Sequence, residues 1–248
     1  MQRFMRTRLL LGNKPFQRLL NSHVAVIGLG AVGGYAAEGL VRAGVGSLTL
    51  VDFDTIQRSN INRQLLALES TIGQSKVAAM QHRLLDINPD CRVYPMELFA
   101  DQDSMEQIIS NSPDVVVDAI DSLNPKFQVL SASHRHGIKT FCSMGAALRT
   151  DPSQIRTADL ENTKNCPLAR RLRKRLRRHG ITSGITCVYS TEHVDFDYQP
   201  PTTEPTAQES SVERGRPRAT LGSLPTLTGI FGLILANEVI LHLCGIDR

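Results

Sequence analysis

Behind four apolar residues, the run VAVIGLGAVGG sets Gly28, Gly30 and Gly33 in a GxGxxG spacing. A buried strand that enters such a turn and leaves it as a helix, here from near Ala31, aims free backbone N–H groups at an anion. The glycines permit the tight bend and the close approach of ligand to backbone. Asp52, in LTLVDFDTI, ends the next apolar run, where an acidic side chain holds a ribose. These two features suit a dinucleotide and a mononucleotide alike, and the next stretch separates the two. SNINRQ brings Asn60, Arg63 and Gln64, and GQSK brings Lys76 after the Gly73 turn. A nicotinamide site has no use for cations here. A triphosphate does, because negative charge builds up as pyrophosphate leaves. The stretch VVVDAIDSLNPK then places Asp118 and Asp121 at the end of another apolar run. Mg²⁺ takes one or two carboxylates together with phosphate oxygens, and Asp121 is the metal-side candidate; Asp118 suits a cap on the next element. The surface alternative is that Arg63 and Lys76 are solvated charges.

Strand-like runs at His23 to Gly28, Ser47 to Asp52, Arg92 to Glu97, Asp114 to Asp118 and Lys139 to Ser143 alternate with helical stretches. Ile185 to Ser190 adds one more. Alternation of this kind predicts an α/β, Rossmann-like, doubly wound and mostly parallel sheet, with a C-terminal extension of the same domain. In such sheets ligands bind at the carboxyl ends of the strands, which is where the glycine turn, Asp52 and Asp121 fall. The chain reads as one domain over residues 1–248. Tyr198 to Thr220, rich in Pro, Thr, Ser and charge, predicts a flexible loop within it.

The series GLGAVG, VDFDTI, SNINRQ, GQSK and DAIDS, in this order, resembles the ubiquitin-activating enzyme superfamily in its small bacterial form. The resemblance covers nearly the whole chain. It implies ATP-dependent adenylation of a carboxylate. Gly28, Gly30, Gly33, Asp52, Asn60, Arg63, Gln64 and Lys76 would then bind ATP, with Mg²⁺ at Asp121. The N-terminal RFMR resembles the arginine segment of that superfamily, which reaches into the partner subunit's nucleotide site. It implies a homodimer in which Arg6, with Arg8 close behind, joins Arg63, Lys76 and Asp121 in catalysis.

The stretches DAIDSLNPK, TADLENTKNCPLARRLRKRLRRHGITSGITCVYSTE and GSLPTLTGIFGLILANEVI resemble the tRNA threonylcarbamoyladenosine dehydratases more narrowly. In these the free carboxylate of the threonylcarbamoyl group is activated by ATP and cyclised to a hydantoin or oxazolone with loss of water. The implied partner is tRNA carrying that nucleoside, and sulfur-transfer or electron partner proteins are further partners the resemblance allows. Carrier-activating relatives usually hold a structural zinc in paired CxxC motifs, which this sequence lacks.

From Arg170 to Arg178 seven of nine residues are basic: Arg170, Arg171, Arg173, Lys174, Arg175, Arg177 and Arg178. Leu168, Leu172 and Leu176 recur every four residues, so a narrow apolar stripe faces the protein and the rest faces out. Without those seven charges the formal net charge of +4 becomes −3. The positive excess is therefore local, which favours a polyanion such as RNA over general solubility. An acidic lipid surface or a solvated helix face would show the same pattern.

Five dispersed cysteines, with no CxxC pair, exclude a disulfide framework and a tetrathiolate zinc site. Residues 1–22 mix Arg, Asn and Gln and do not read as a signal peptide, so the expected compartment is the cytoplasm, with peripheral membrane association left open. Leu221 to Gly245 is apolar enough to raise the question of a membrane span. Asn237, Glu238 and His242 interrupt it, and a buried or half-buried helix is expected instead of stable insertion. Cys187 suits either a thioester nucleophile or a buried small residue. Two other functions stay open: activation of a ubiquitin-like carrier, and non-catalytic RNA binding on a nucleotide fold.

Overall fold

The computed structural model describes residues 2–194 and 221–246; the segment Tyr198 to Thr220 lies outside the described residues. Seven strands form one sheet in the order β3-β2-β1-β4-β5-β7-β6. They are β1 (His23–Ile27), β2 (Ser47–Val51), β3 (Arg92–Met96), β4 (Val115–Asp118), β5 (Lys139–Ser143), β6 (Ile155–Asp159) and β7 (Ile185–Ser190). All neighbours are parallel except β6 with β7. The predicted runs match strands to within a residue at each end, and β6 is the one the sequence reading missed. Its residues IRTAD are half-exposed at a sheet edge, so they carry neither an apolar run nor clean alternation.

Side chains of the central strands alternate between two cores. Val24, Val26, Leu48, Leu50, Val115 and Val117 face one layer, and Ala25, Ile27, Val51 and Val116 face the other. The first layer is covered by α3 (Gly33–Ala43), α4 (Lys76–Ile87) and α8 (Pro225–Cys244), the second by α5 (Gln102–Ser110) and α6 (Leu123–Arg135). A further core joins α6 and α7 (Pro167–Arg177) to β5 and β7. Helices on both faces of a parallel sheet are what strands buried on both sides require.

Helix α8 is long and apolar enough to cross a membrane, but half of its most apolar window is buried against the protein. It lies on α3 at a close crossing, where a Cβ at Gly39 would stand 2.9 Å from Ala236 Cβ and one at Gly232 would stand 2.3 Å from Val32 O. The half-buried helix expected from its polar interruptions is what the fold contains. Two short helices, α1 (Met5–Leu11) and α2 (Asn13–Asn21), precede β1. Phe16 and Leu19 bury α2 against the turn between α3 and β2, at the amino edge of the sheet, while α1 buries no side chain.

Candidate functional site

Strand order reverses between β1 and β4, and the crevice outside their carboxyl ends is where open α/β sheets take ligands. Gly28 leaves β1 with φ +89°, and a Cβ there would stand 3.2 Å from Ala119 C and O. At Gly33 a Cβ would fall 1.8 Å from Gly28 O. These two glycines are demanded by packing. Gly30 has room, with only the Gln64 amide 3.9 Å from a would-be Cβ, so it marks where a ligand can come close to backbone. The helix begins at Gly33, two residues later than expected, because Ala31 and Val32 complete the turn that the Gly34 N–H closes on Gly30 O. The amides of Gly30, Ala31 and Val32 have no backbone acceptor among the described residues, and no side chain caps α3. Uncapped N–H groups at a helix start favour an anion.

Asp52 sits across from this turn, buried, and accepts from Leu29 N at 2.6 Å and Asp54 N at 2.9 Å. Burial pushes its carboxyl above the ordinary aspartate value, against the pull of Lys76 and the two amides. Its first task is therefore to shape the glycine turn, and a ribose would share the carboxylate with those amides.

Lys76 opens α4 and is 5% exposed. It is therefore not the solvated surface charge of the alternative reading. Its Nζ donates to Asp54 Oδ2 at 2.7 Å and lies 3.8 Å from Asp52 Oδ1. A buried ammonium needs a counter-charge, and Asp54 supplies one. Asp54 went unremarked in the sequence, although its place two residues after Asp52 was the available signal.

Around the turn that follows, Arg63 is half-buried and donates to Ser59 O at 3.0 Å and Asn62 Oδ1 at 2.9 Å. Asn60 accepts from Gln57 N at 3.0 Å, so its carbonyl oxygen closes a short helical turn and only its amide N–H₂ remains for a phosphate. Gln64 is buried, and its Oε1 has no partner.

On the β4 side Asp118 is fully buried and accepts from Ile120 N at 3.0 Å, a turn within the loop and not the cap expected of it, since α6 begins after Ser122 with no side-chain cap. It also pairs with Lys126 at 2.9 Å, a residue the sequence reading did not single out. Asp121 is exposed at the end of the same turn. The structure thus brings the glycine turn, Asp52, Lys76 and the Asp121 segment to one crevice. Arg6 is elsewhere: its helix follows Arg3, which donates to Asn88 Oδ1 at 2.8 Å just ahead of β3, at the amino edge.

The basic helix α7 buries Leu172 and Leu176 as the four-residue spacing predicts, but its first buried position is Ala169, with Leu168 only partly covered. Three of its seven cations do not face freely outward, which corrects that part of the reading. Arg173 is half-buried and donates to Leu160 O at 3.2 Å and Thr163 O at 2.9 Å. Arg175 stacks 4.0 Å over the Phe127 ring, and Arg177 pairs with Glu161. Long basic side chains lay their stems on apolar surface and find local acceptors. Arg170, Arg171, Lys174 and Arg178 are exposed. All five cysteines are free and buried, and Cys187 is fully enclosed, which fits the small apolar residue and not an accessible nucleophile.

A glycine turn, a buried acid and lysine, and a carboxylate after β4 around one switch point describe an adenylating α/β protein. The chain belongs to the ThiF family, whose model matches residues 2–248. It is 36% identical over 244 residues to the tRNA threonylcarbamoyladenosine dehydratase of Bacillus subtilis, covering 98% of this chain and 95% of that one. The Escherichia coli enzyme of the same name is 39% identical over 198 residues, 77% of this chain and 74% of its own. A crystal structure of the E. coli dehydratase in complex with ATP superposes with a TM-score of 0.84 at 33% identity, covering 98% of this chain and 94% of that one.

Proposed function

We propose that this chain catalyses the ATP-dependent dehydration of threonylcarbamoyladenosine in tRNA, by adenylating the carboxylate of the threonylcarbamoyl group. The observation that carries it is the crevice itself, with the free amides of Gly30 to Val32 and the buried Lys76, in a chain matched over 98% of its length by a dehydratase of this name. The triphosphate lies along the amides of Gly30 to Val32 and takes Lys76 over from Asp54, while Arg63 and the amide of Asn60 close on it from the side. Asp52 holds the ribose, and the Gln64 amide faces the phosphate side of the turn. Asp121, a single exposed carboxylate, suits Mg²⁺, which needs few protein ligands beside phosphate; no cluster of three or more His, Cys, Asp or Glu stands among the described residues. Bound there, Mg²⁺ would offset charge on the departing pyrophosphate.

The substrate carboxylate attacks the α-phosphorus; the bond to pyrophosphate breaks and an acyl-adenylate forms. A nucleophile of the same threonylcarbamoyl group then attacks the acyl carbon, a ring closes, and AMP leaves with loss of one proton. Tethering supplies the high effective concentration, so no cysteine nucleophile is needed.

The working form is a homodimer. Arg6 is exposed three residues after Arg3, which is tied to the amino edge of the sheet, and a five-residue strand separates that edge from the crevice by about 17 Å. It can thus serve a neighbour's crevice more readily than its own. Arg170, Arg171, Lys174 and Arg178 hold tRNA phosphates, and the compartment is the cytoplasm. The deciding experiment supplies purified chain, ATP and Mg²⁺ with tRNA that does or does not bear threonylcarbamoyladenosine. Only the modified tRNA should stimulate ATP consumption and yield the cyclised nucleoside by mass spectrometry. Stimulation by a glycine-ended carrier protein instead would overturn the assignment.

A further inference from the structure

One charged cluster beside the crevice has no task in the reaction above. Lys126, in the first turns of α6, and Asp118, at the end of β4, are both 0% exposed and joined at 2.9 Å. Lys126 Nζ also donates to Cys142 Sγ at 3.2 Å, and the Cys142 thiol donates to Asp118 Oδ2 at 3.3 Å, closing a triangle. Burial pulls the Lys126 ammonium toward neutrality, but the Asp118 charge and the Cys142 sulfur outweigh it and hold its proton above the ordinary lysine range. Cys142 is pushed well above the ordinary thiol value, by burial first and then by its hydrogen bond with Cys187 and the Asp118 charge, and so remains a neutral donor. Replacing a buried ion pair by apolar residues is often neutral for stability, so stability alone is a weak reason for this one.

The other oxygen of Asp118 points to a reason. It accepts from Ile120 N at 3.0 Å, while Ala119 N donates to Ile27 O at 2.9 Å. Those two bonds fix the backbone that runs into Asp121. The same backbone is pressed on the glycine turn, since a Cβ at Gly28 would stand 3.3 Å from Ile120 N and one at Gly33 would stand 3.1 Å from Ala119 Cβ.

We propose that Lys126 is a positioning residue for the adenylation site. Through Asp118 it fixes the turn of residues 118–121 against the phosphate-binding glycines and so sets where the Asp121 carboxylate stands. The inference rests on the adenylating function above, and it assigns Lys126 no contact with substrate or metal.

The test uses the double variant Asp118→Asn/Lys126→Met, which removes both charges and leaves neither buried alone. If the pair positions Asp121, kcat falls and the Mg²⁺ concentration for half-maximal turnover rises, each by about tenfold or more, the scale for removing the partner of a metal-side carboxylate. KM for ATP changes by less than about threefold, because phosphate binding is left in place. Amides 119 and 120 exchange about tenfold faster, with β1 and β2 unchanged. Wild-type kcat and Mg²⁺ dependence in a folded double variant would overturn the proposal and leave a structural staple. Should that variant fail to fold, exchange in the wild-type chain decides. Amides 119 and 120 protected like those of β4 support the proposal, and exchange at the rate of the exposed turn at 111–112 overturns it. Exchange needs no turnover, so a chain inert toward modified tRNA would sink the functional reading while this measurement still answers the positional one.

Discussion

The crevice and the basic helix are both cationic, and they hold charge in opposite ways. Lys76 in the crevice and Lys126 beside it are buried, and each has a carboxylate, Asp54 or Asp118, at hydrogen-bond distance. On α7 the cations that stay exposed, Arg170, Arg171, Lys174 and Arg178, line one helix face without an acidic neighbour of their own within ion-pair distance among the described residues. Buried charge is costly unless paired, so it is few, fixed and directional; exposed charge carries little penalty, is screened, and suits a long anion whose register varies. The first arrangement fits a reacting triphosphate and the second fits an RNA backbone.

The sharpest way to break that contrast is to remove one fixed charge. Lys76→Ala should lower kcat by about a hundredfold or more, the scale seen when a single charge that stabilises a transition state is removed. A near-normal rate would place Lys76 among the structural ion pairs. Mixing the inactive Lys76→Ala chain with an inactive Arg6→Ala chain should return about a quarter of wild-type activity, because half of the dimers then hold one intact shared site. No recovery in demonstrably mixed dimers would put Arg6 outside the neighbour's crevice.

On the helix the expected effects are smaller and graded. Replacing Arg170, Arg171 and Lys174 by Gln should weaken tRNA binding while ATP binding stays as it was. The slope of log affinity against log salt should flatten by roughly 0.7 to 0.9 for each phosphate that is no longer neutralised. Gln at Arg173, Arg175 and Arg177 should act instead on stability, because these side chains hold α7 to Thr163, Phe127 and Glu161. A salt slope that responds equally to both triplets would erase the distinction.

What the sequence made legible follows the same divide. Glycine spacing, apolar runs and the ordered motifs located the sheet, the turn and the crevice, because each is a local pattern with one structural outcome. The basic helix was legible as a helix with its apolar stripe. Which cations it uses for its own packing was not, since Glu161 and Phe127 lie on other elements that only folding brings near. Asp54 and Lys126 escaped for a related reason: a lone acid or lysine in a sequence carries no mark of being buried, and their partners are 22 and 8 residues away. Strand β6 is an edge strand with half-exposed polar residues and presents no pattern to read.

The smallest predicted effect concerns how the two halves of the crevice are tied. Glu38 on α3 accepts from Arg42 at 2.7 Å on its own helix and pairs with Arg83 on α4, so one carboxylate links the helix behind the glycine turn to the helix that begins at Lys76. Burial alone would raise its carboxyl, but the two guanidiniums, Arg83 foremost, outweigh that and hold it below the ordinary glutamate value. A carboxyl whose proton is held less tightly in the folded chain contributes stability above its unfolded pKa and loses it as pH falls through the lower folded value. Glu38→Gln should therefore cost about 1 kcal/mol or less at neutral pH, the pair being partly open to solvent, and lower Tm by a few degrees at most. The gap between wild type and variant should stay constant from pH 7 down to about 5 and close only below the ordinary glutamate value near 4.3. Thermal melts across that range check the sign, and a gap that persists unchanged in acid would show that the link between α3 and α4 does not depend on the Glu38 charge.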